Sequence, residues 1–189
     1  MVEVNLDSEK FEQREEKVRN LLKKGEISLL LDSYTGIFSD FDPRPYAERT
    51  LSDDFLLETK KAARDKTGNL ELKFLIPSRL RKFSAETIIK KRLHKHFKKH
   101  HALLAQEEKD TMKKGVIITS IGFITMVIAT FLYDSTIFLL KFIRVILEPA
   151  GWFAVWYGLD HLFYLRNQHK PELEFYQKMS KAKISFMSY

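Results

Sequence analysis

Residues 116–133 read VIITSIGFITMVIATFLY, eighteen consecutive positions without a charged side chain. At about 1.5 Å per residue this stretch forms a helix of about 27 Å, close to the ~30 Å hydrocarbon core of a bilayer. A second apolar stretch, Ile137–Leu165, follows after the short break Asp134–Thr136. Two apolar segments joined so closely predict a helical hairpin that crosses a membrane twice. The alternative, a hairpin buried in a soluble protein, needs apolar surface to cover it, and the remaining sequence has too little.

The second apolar stretch carries charges that the first one lacks. Lys141, Arg144 and Glu148 are spaced by three and four residues, which puts them on one helical face as a polar stripe. Because a charge near the bilayer centre costs about 2.5–3.5 kcal/mol, this stripe is not expected to face lipid tails there. Two arrangements remain open. Residues 136–147 lie along the membrane surface as an amphipathic helix, or the stripe faces protein or water inside the membrane.

Small residues recur on the same segment at four-residue spacing, namely Ala150, Ala154 and Gly158. Such a ladder lets two helix backbones approach closely in lipid. We therefore expect it to pack against another helix.

Basic residues flank both apolar stretches on the sides away from the connecting break. Lys113 and Lys114 precede the first stretch and Lys170 follows the second, whereas the break holds only Asp134. The excess of positive charge predicts that both termini are cytoplasmic and that the protein resides in the inner (cytoplasmic) membrane. The charged N-terminal residues contain no apolar signal-peptide core, so the first stretch is expected to act as its own signal anchor.

The rest of the chain predicts a small cytosolic head over residues 1–114, followed by the membrane hairpin (115–165) and a cytosolic tail (166–189). Apolar periodicity and capping residues predict helices over Ser8–Lys24, Ser52–Lys66 and Ser84–Lys114, and strands over Ile27–Leu31 and Leu70–Ile76. The predicted fold class is an α+β membrane protein with an α-β-α-β-α head, whose strand-helix-strand unit is parallel.

Two strands are too few to form a stable sheet. A third strand is expected either from the long loop that follows the first strand or from sheets of several copies that join. The tail ends in ISFMSY and can pack back onto the head.

The net charge of +7 is concentrated before the first apolar stretch, where residues 77–101 hold nine Lys and Arg against one acid, Glu86. Basic residues next to a cytoplasmic leaflet are attracted to anionic lipids. We interpret the run as a contact with anionic lipid in preference to a solvated helix face, and nucleic acid is not an expected partner. The predicted lipid contacts are Lys90, Lys91, Arg92, Lys95, Lys98 and Lys99.

The loop that contains Asp40, Asp42 and Arg44 is the other candidate site in the head. Aspartates in such loops commonly cap turns, and we expect Arg44 to pair with one of them. The alternative is a divalent-cation site that also uses Asp32 and Asp53. The sequence has no cysteine and no Ser/His/Asp set, glycine-rich phosphate loop or HExxH pattern, so no catalytic residue, cofactor or resident metal is predicted.

The segments FSDFDPRPYAERTLSDDFL, RLHKHFKKH and ILEPAGWFAVWYGLDHLFY resemble an uncharacterised family of small prokaryotic membrane proteins with a cytosolic head and two transmembrane helices. The resemblance covers most of residues 26–189 and implies no activity or substrate. The residue patterns by themselves predict a homo-oligomeric membrane scaffold or pore. The alternative function is a membrane-anchored, metal-dependent enzyme that uses the aspartate group.

Overall fold

A computed structural model describes residues 26–64, 66, 68 and 70–189, without the side chain of Arg166. The helix predicted over Ser8–Lys24 lies outside the described residues. Among these described residues there are three strands, β1 to β3, and four α-helices, α1 to α4, with short 3₁₀ helices at Tyr34–Ile37 and Ser78–Leu80. In chain order the elements are β1 (Glu26–Leu30), α1 (Asp53–Ala63), β2 (Glu71–Ile76), α2 (Phe83–Phe131), α3 (Phe138–Asp160), a π-helical turn (His161–Leu165), α4 (Arg166–Lys181) and β3 (Lys183–Ser188).

The three strands form one parallel sheet in the order β1-β2-β3. Alternate residues of each strand face the core, so apolar side chains line up across the sheet. Leu29, Phe74 and Phe186, one from each strand, form such a row in register. On the opposite face Lys73 pairs with Glu26 at 2.6 Å and Lys183 pairs with Glu71 at 3.5 Å. The predicted mixed fold with a parallel strand-helix-strand unit is therefore confirmed, and the chain is mostly helical.

The third strand comes from the tail, so the prediction that part of the long loop supplies it was wrong, and the joining of sheets from several copies stays a prediction. In the described structure, residues 31–52 form a 3₁₀ helix and turns, and their strand-like pairing is one antiparallel bridge between Phe38 and Leu51. Lys183 and the ISFMS residues that follow it instead pair with β2 along its whole length. The expectation that this tail packs onto the head is confirmed, and the packing takes the form of strand pairing.

Helices cover the core-facing side of the sheet because each carries a narrow apolar stripe. Helix α1 packs Phe55 against Phe74, with ring centroids 5.9 Å apart. Helix α2 contributes three fully buried residues at helical spacing, Ile89, Leu93 and Phe97, and Phe97 meets Phe175 of α4 edge-on. The core thus joins residues from the beginning and the end of the described chain.

A buried charge cluster fastens the start of α2 to the rest of the head. Glu86 is 3% exposed, and its carboxylate accepts hydrogen bonds from Arg81 at 2.9 and 3.0 Å and from the Tyr34 hydroxyl at 3.0 Å. The Arg81 guanidinium holds the pKa of Glu86 below its ordinary value, and burial raises the pKa of Tyr34. The one acid of the basic segment therefore has a structural role.

The chain divides into two compact units that differ from the boundaries suggested by hydropathy. The head consists of the described residues up to Lys98 together with Phe175–Tyr189, and the second unit is Lys99–Glu174. Helix α2 continues through Gly115 without a break. The tail predicted as a separate region from 166 is thus shared between the two units.

Replacing Phe186 with alanine should destabilise the head by about 3 kcal/mol, because deleting a buried aromatic leaves a cavity beside Phe74 and Tyr34. The change is measured by urea-dependent pulse proteolysis of the full chain in detergent. Met187→Ala, at a neighbouring half-buried position, is the control and should cost clearly less. An equal loss for both variants would contradict the pairing of β3 described here.

Candidate functional site

The second unit is built around a close contact between α2 and α3 at two pairs of glycines. Gly115 lies opposite Gly158, and Gly122 lies opposite Gly151, so the two helices run antiparallel. A methyl group added at Gly122 would stand 2.7 Å from the Val155 backbone nitrogen, and one added at Gly151 would stand 3.1 Å from the Gly122 carbonyl oxygen. At both levels backbone meets backbone, so these positions accept no side chain.

The spacing of these glycines is a signal that the sequence analysis missed. Gly115 and Gly122 are seven residues apart, as are Gly151 and Gly158. Seven residues are close to two helical turns, so each pair lies on one face. Read in opposite directions from the connecting loop, the two pairs align one to one, which predicts an antiparallel contact.

The predicted ladder of small residues lies partly in this contact. Gly158 is buried against Thr119, and the Ala154 methyl group is 2.9 Å from the position that a Cβ of Gly122 would take. Ala150 is exposed, and Gly151 takes the contact position instead. Ala154 and Gly158 therefore pack against a helix of the same chain.

Away from this contact, both helices expose large apolar side chains. By its length and composition, helix α2 is able to cross a membrane. Only 17% of its eighteen-residue apolar stretch is buried. It is the only described helix that meets this test, since α3 carries Lys141, Arg144, Glu148 and Asp160. Exposed residues include Ile117, Ile121, Ile124, Ile128 and Phe131 on α2, and Phe138, Phe142, Ile146, Phe153 and Trp156 on α3. Such a continuous apolar surface marks a contact with a membrane or another protein.

The polar stripe on α3 divides into a paired part and a single cation. Arg144 Nε donates to Glu148 Oε1 at 2.7 Å, and the guanidinium carbon lies 4.4 Å from the Tyr133 ring centroid. Arg144 is therefore held between Glu148 and Tyr133, which follows the end of α2 by two residues, and its side chain is 27% exposed. Lys141 lies in the first turn of α3 and is exposed.

The glycine register also gives the level of Glu148 along the helix pair. Gly151 contacts Gly122 and Met126, and Glu148 precedes Gly151 by nearly one turn. Glu148 is thus level with residues 125–129 of α2, roughly 10 Å inside the end of the uncharged stretch at Tyr133. The carboxylate lies at a level where α2 has only uncharged residues, and its side chain is 49% exposed.

The six residues predicted to contact lipid differ in their surroundings. Lys90 Nζ lies 5.6 Å from the Phe186 ring centroid, and Arg92 Nε donates to the Arg49 carbonyl oxygen at 3.0 Å. The remaining four, Lys91, Lys95, Lys98 and Lys99, are exposed. Within the second unit, Lys99 precedes Val116 by seventeen residues, which is about 25 Å of helix.

The aspartate loop is organised around Asp42, as the structural interpretation of Asp42 and Arg44 predicted. Its carboxylate accepts bidentate hydrogen bonds from Arg44, the shortest at 2.7 Å, and a 2.7 Å bond from the Thr50 backbone N–H. The Arg44 guanidinium and the Thr50 amide hold the pKa of Asp42 well below its usual range. Asp42 therefore stabilises the loop by joining Arg44 and Thr50 through these hydrogen bonds.

The structure does not gather the aspartates into a metal site. Asp40 is exposed, and its nearest cation is Arg49 at 4.0 Å. Within the described ranges, no group of three His, Asp or Glu side chains could hold an ion, and Asp32, Asp40, Asp42 and Asp53 all lie in these ranges.

Comparison of the chain with known protein families, curated proteins and solved structures found no match. The candidate site is therefore defined by its own geometry, namely the glycine contact, the exposed apolar surface and the stripe on α3.

Gly122→Val should separate α2 from α3, because the added side chain would overlap the backbone at Val155. The measurement is the distance between spin labels on cysteines introduced at Val116 and Tyr157, in a chain without native cysteine. We expect the distance to increase by several ångströms and its distribution to broaden. Ala150→Val adds similar volume at an exposed position and should leave the distance unchanged. Equal distances in all variants would disprove the contact.

Proposed function

We propose that this chain is a two-span integral membrane protein of the inner membrane that serves as a self-assembling, non-enzymatic scaffold for its cytoplasmic head. The observation that carries the proposal is the exposed apolar surface of α2 and α3. Water would oppose the exposure of so much apolar area, whereas lipid tails would cover it without cost. In a soluble protein, a core helix would instead have most of its apolar stretch buried by other parts of the protein.

The distribution of charge supports the insertion of α3 beside α2. Lys141 is close to one end of α3 and Asp160 is its last residue, so both can reach the headgroup layers. Arg144 and Glu148 pair with each other, which reduces the cost of burying them. Pro149 leaves α3 continuous from Phe138 to Asp160, which favours a spanning helix over a separate surface helix at 136–147.

The head is built from chain on both sides of the helix pair, which supports an even number of membrane crossings. Its sheet contains β1 and β2, which precede the helix pair, and β3, which follows it. Residues 98 and 175 belong to one compact unit, so the chain between them must return to the side from which it left. The basic flanks of the two spans favour the cytoplasm as that side.

We further propose anionic-lipid contact at Lys113 and Lys114, which are exposed and directly precede the apolar stretch. Lys99 lies about 25 Å of helix away from Val116, and this exceeds the ~8–10 Å range of surface electrostatics at physiological salt. Of the six residues predicted from the sequence, Lys99 is therefore less well supported as a lipid contact than Lys113 and Lys114.

Among the alternatives, the metal-dependent enzyme has the least support, because Asp42 is held by Arg44 and Thr50 and the described aspartates are not clustered. A pore lined by Lys141, Arg144 and Glu148 stays a prediction. The resemblance to a family of small prokaryotic membrane proteins also stays a prediction and agrees with the proposal.

The topology is tested with single cysteines in the otherwise cysteine-free chain. Asp134→Cys should react with an impermeant maleimide in intact cells, whereas Lys181→Cys should react only after the cells are permeabilised. Extraction with alkaline carbonate should leave the protein in the membrane fraction. Release by carbonate, or external labelling of Lys181→Cys, would refute the proposal.

The lipid contact is tested by titrating full-length protein in neutral detergent with phosphatidylglycerol and measuring bound lipid by native mass spectrometry. Lys113→Gln with Lys114→Gln should weaken binding by about 1 kcal/mol per lysine at low ionic strength. Lys95→Gln with Lys98→Gln removes the same charge and is the control. A larger loss of lipid binding in the control would contradict the proposed contact and support a contact at the basic residues upstream.

A further inference from the structure

We infer that the face of α3 carrying Glu148 and Trp152 is the contact surface for a second copy of this chain. The inference rests on the proposed insertion of the helix pair into a membrane. It assigns the partner and the residues through which the membrane part assembles.

Glu148 stands in an environment that lipid tails alone do not satisfy. Its side chain is about half exposed, at a level where α2 is uncharged. Arg144 contacts Oε1, and among the described residues no donor is found for Oε2. A carboxylate turned toward lipid tails at this level would be costly even with one partner, so a further polar group must reach it. Lipid tails alone therefore do not suit this face of α3, because they cannot solvate the exposed carboxylate.

Trp152 carries the hydrogen-bond donor that Glu148 needs. Trp152 follows Glu148 by one helical turn and is 54% exposed. Helical side chains lean toward the N-terminus, so the Trp152 indole covers the turn that holds Glu148. The indole N–H is a donor only, and tryptophan is frequent at the centre of protein contacts. Trp152 also stacks on Trp156, with centroids 6.4 Å apart, which limits the orientations of the ring.

Two-fold symmetry places this donor of one copy beside Glu148 of the other. Two copies inserted in the same direction are related by a two-fold axis along the membrane normal, and such an axis brings the same face of each together. Trp152 of one copy then donates to Glu148 Oε2 of the other, and the reverse contact forms at the same time. The site is incomplete in one chain and complete in two. The glycine face, already occupied by α2, is not available for this contact.

The test uses the full chain in nanodiscs and a pair of cysteine variants that leave Glu148 intact. Val145 and Ile146 are adjacent, similarly deep and both exposed, but they point about 100° apart, and Val145 lies on the Glu148 side. Val145→Cys should give a disulfide-linked dimer under mild oxidation, and Ile146→Cys should remain monomeric. Cross-linking at Ile146 alone, at both positions or at neither would overturn the inference.

Native mass spectrometry in mild detergent then measures the dimer dissociation constant. Glu148→Gln and Trp152→Phe should each raise it at least tenfold, while Phe153→Leu, at an exposed position that points about 100° away from Trp152, should change it less than twofold. A protein that stays in the membrane after carbonate extraction but is monomeric disproves only this contact. A protein that carbonate releases disproves the membrane assignment itself.

Discussion

The pairing of β2 with a strand on each side is the interaction on which the rest of this molecule depends. Its two neighbours come from opposite sides of the helix pair in the sequence, so the sheet closes only when the chain has returned. Phe186 brings the last strand into the same apolar row as Phe74, and Tyr34 joins that row to the Glu86 cluster. The head therefore contains chain from before and after the second unit in the sequence, and the chain must turn back between Lys98 and Phe175.

The second unit meets this requirement with backbone contacts. The glycines at Gly115, Gly122, Gly151 and Gly158 leave no side chain between α2 and α3 at two levels, which fixes the register of one helix along the other. Once the register is fixed, the level of every charge on α3 is fixed too. Lys141 falls at the end and Arg144 against Tyr133, while Glu148 lies within the uncharged part. In lipid, where apolar association gives no net drive, such close packing is an effective source of helix pairing.

The parts of the fold that local patterns govern could be predicted from the sequence. The apolar runs near Ile27 and Leu72 become β1 and β2, and the stripe Ile89, Leu93 and Phe97 becomes the buried face of α2. The third strand could not be assigned, because ISFMSY is short and only its long-range pairing with β2 shows that it is a strand. Gly151 was missed for a similar reason. A ladder judged on one helix favours Ala150, and only the glycines of the partner helix identify the true contact. The Asp42–Arg44 pair was predictable because turn chemistry is local.

The place of β3 in the chain also sets an order of events during synthesis. The strand follows both apolar helices, so the ribosome translates β1, α1 and β2 about a hundred residues before β3 exists. At about 5–20 residues per second this is a delay of several seconds or more, long compared with the time in which a small domain folds. During that interval the core-facing row of β2 lacks its neighbour, and its open edge is a template for wrong pairing. On the proposed membrane topology, insertion of the helices would precede completion of the head, because β3 is translated last.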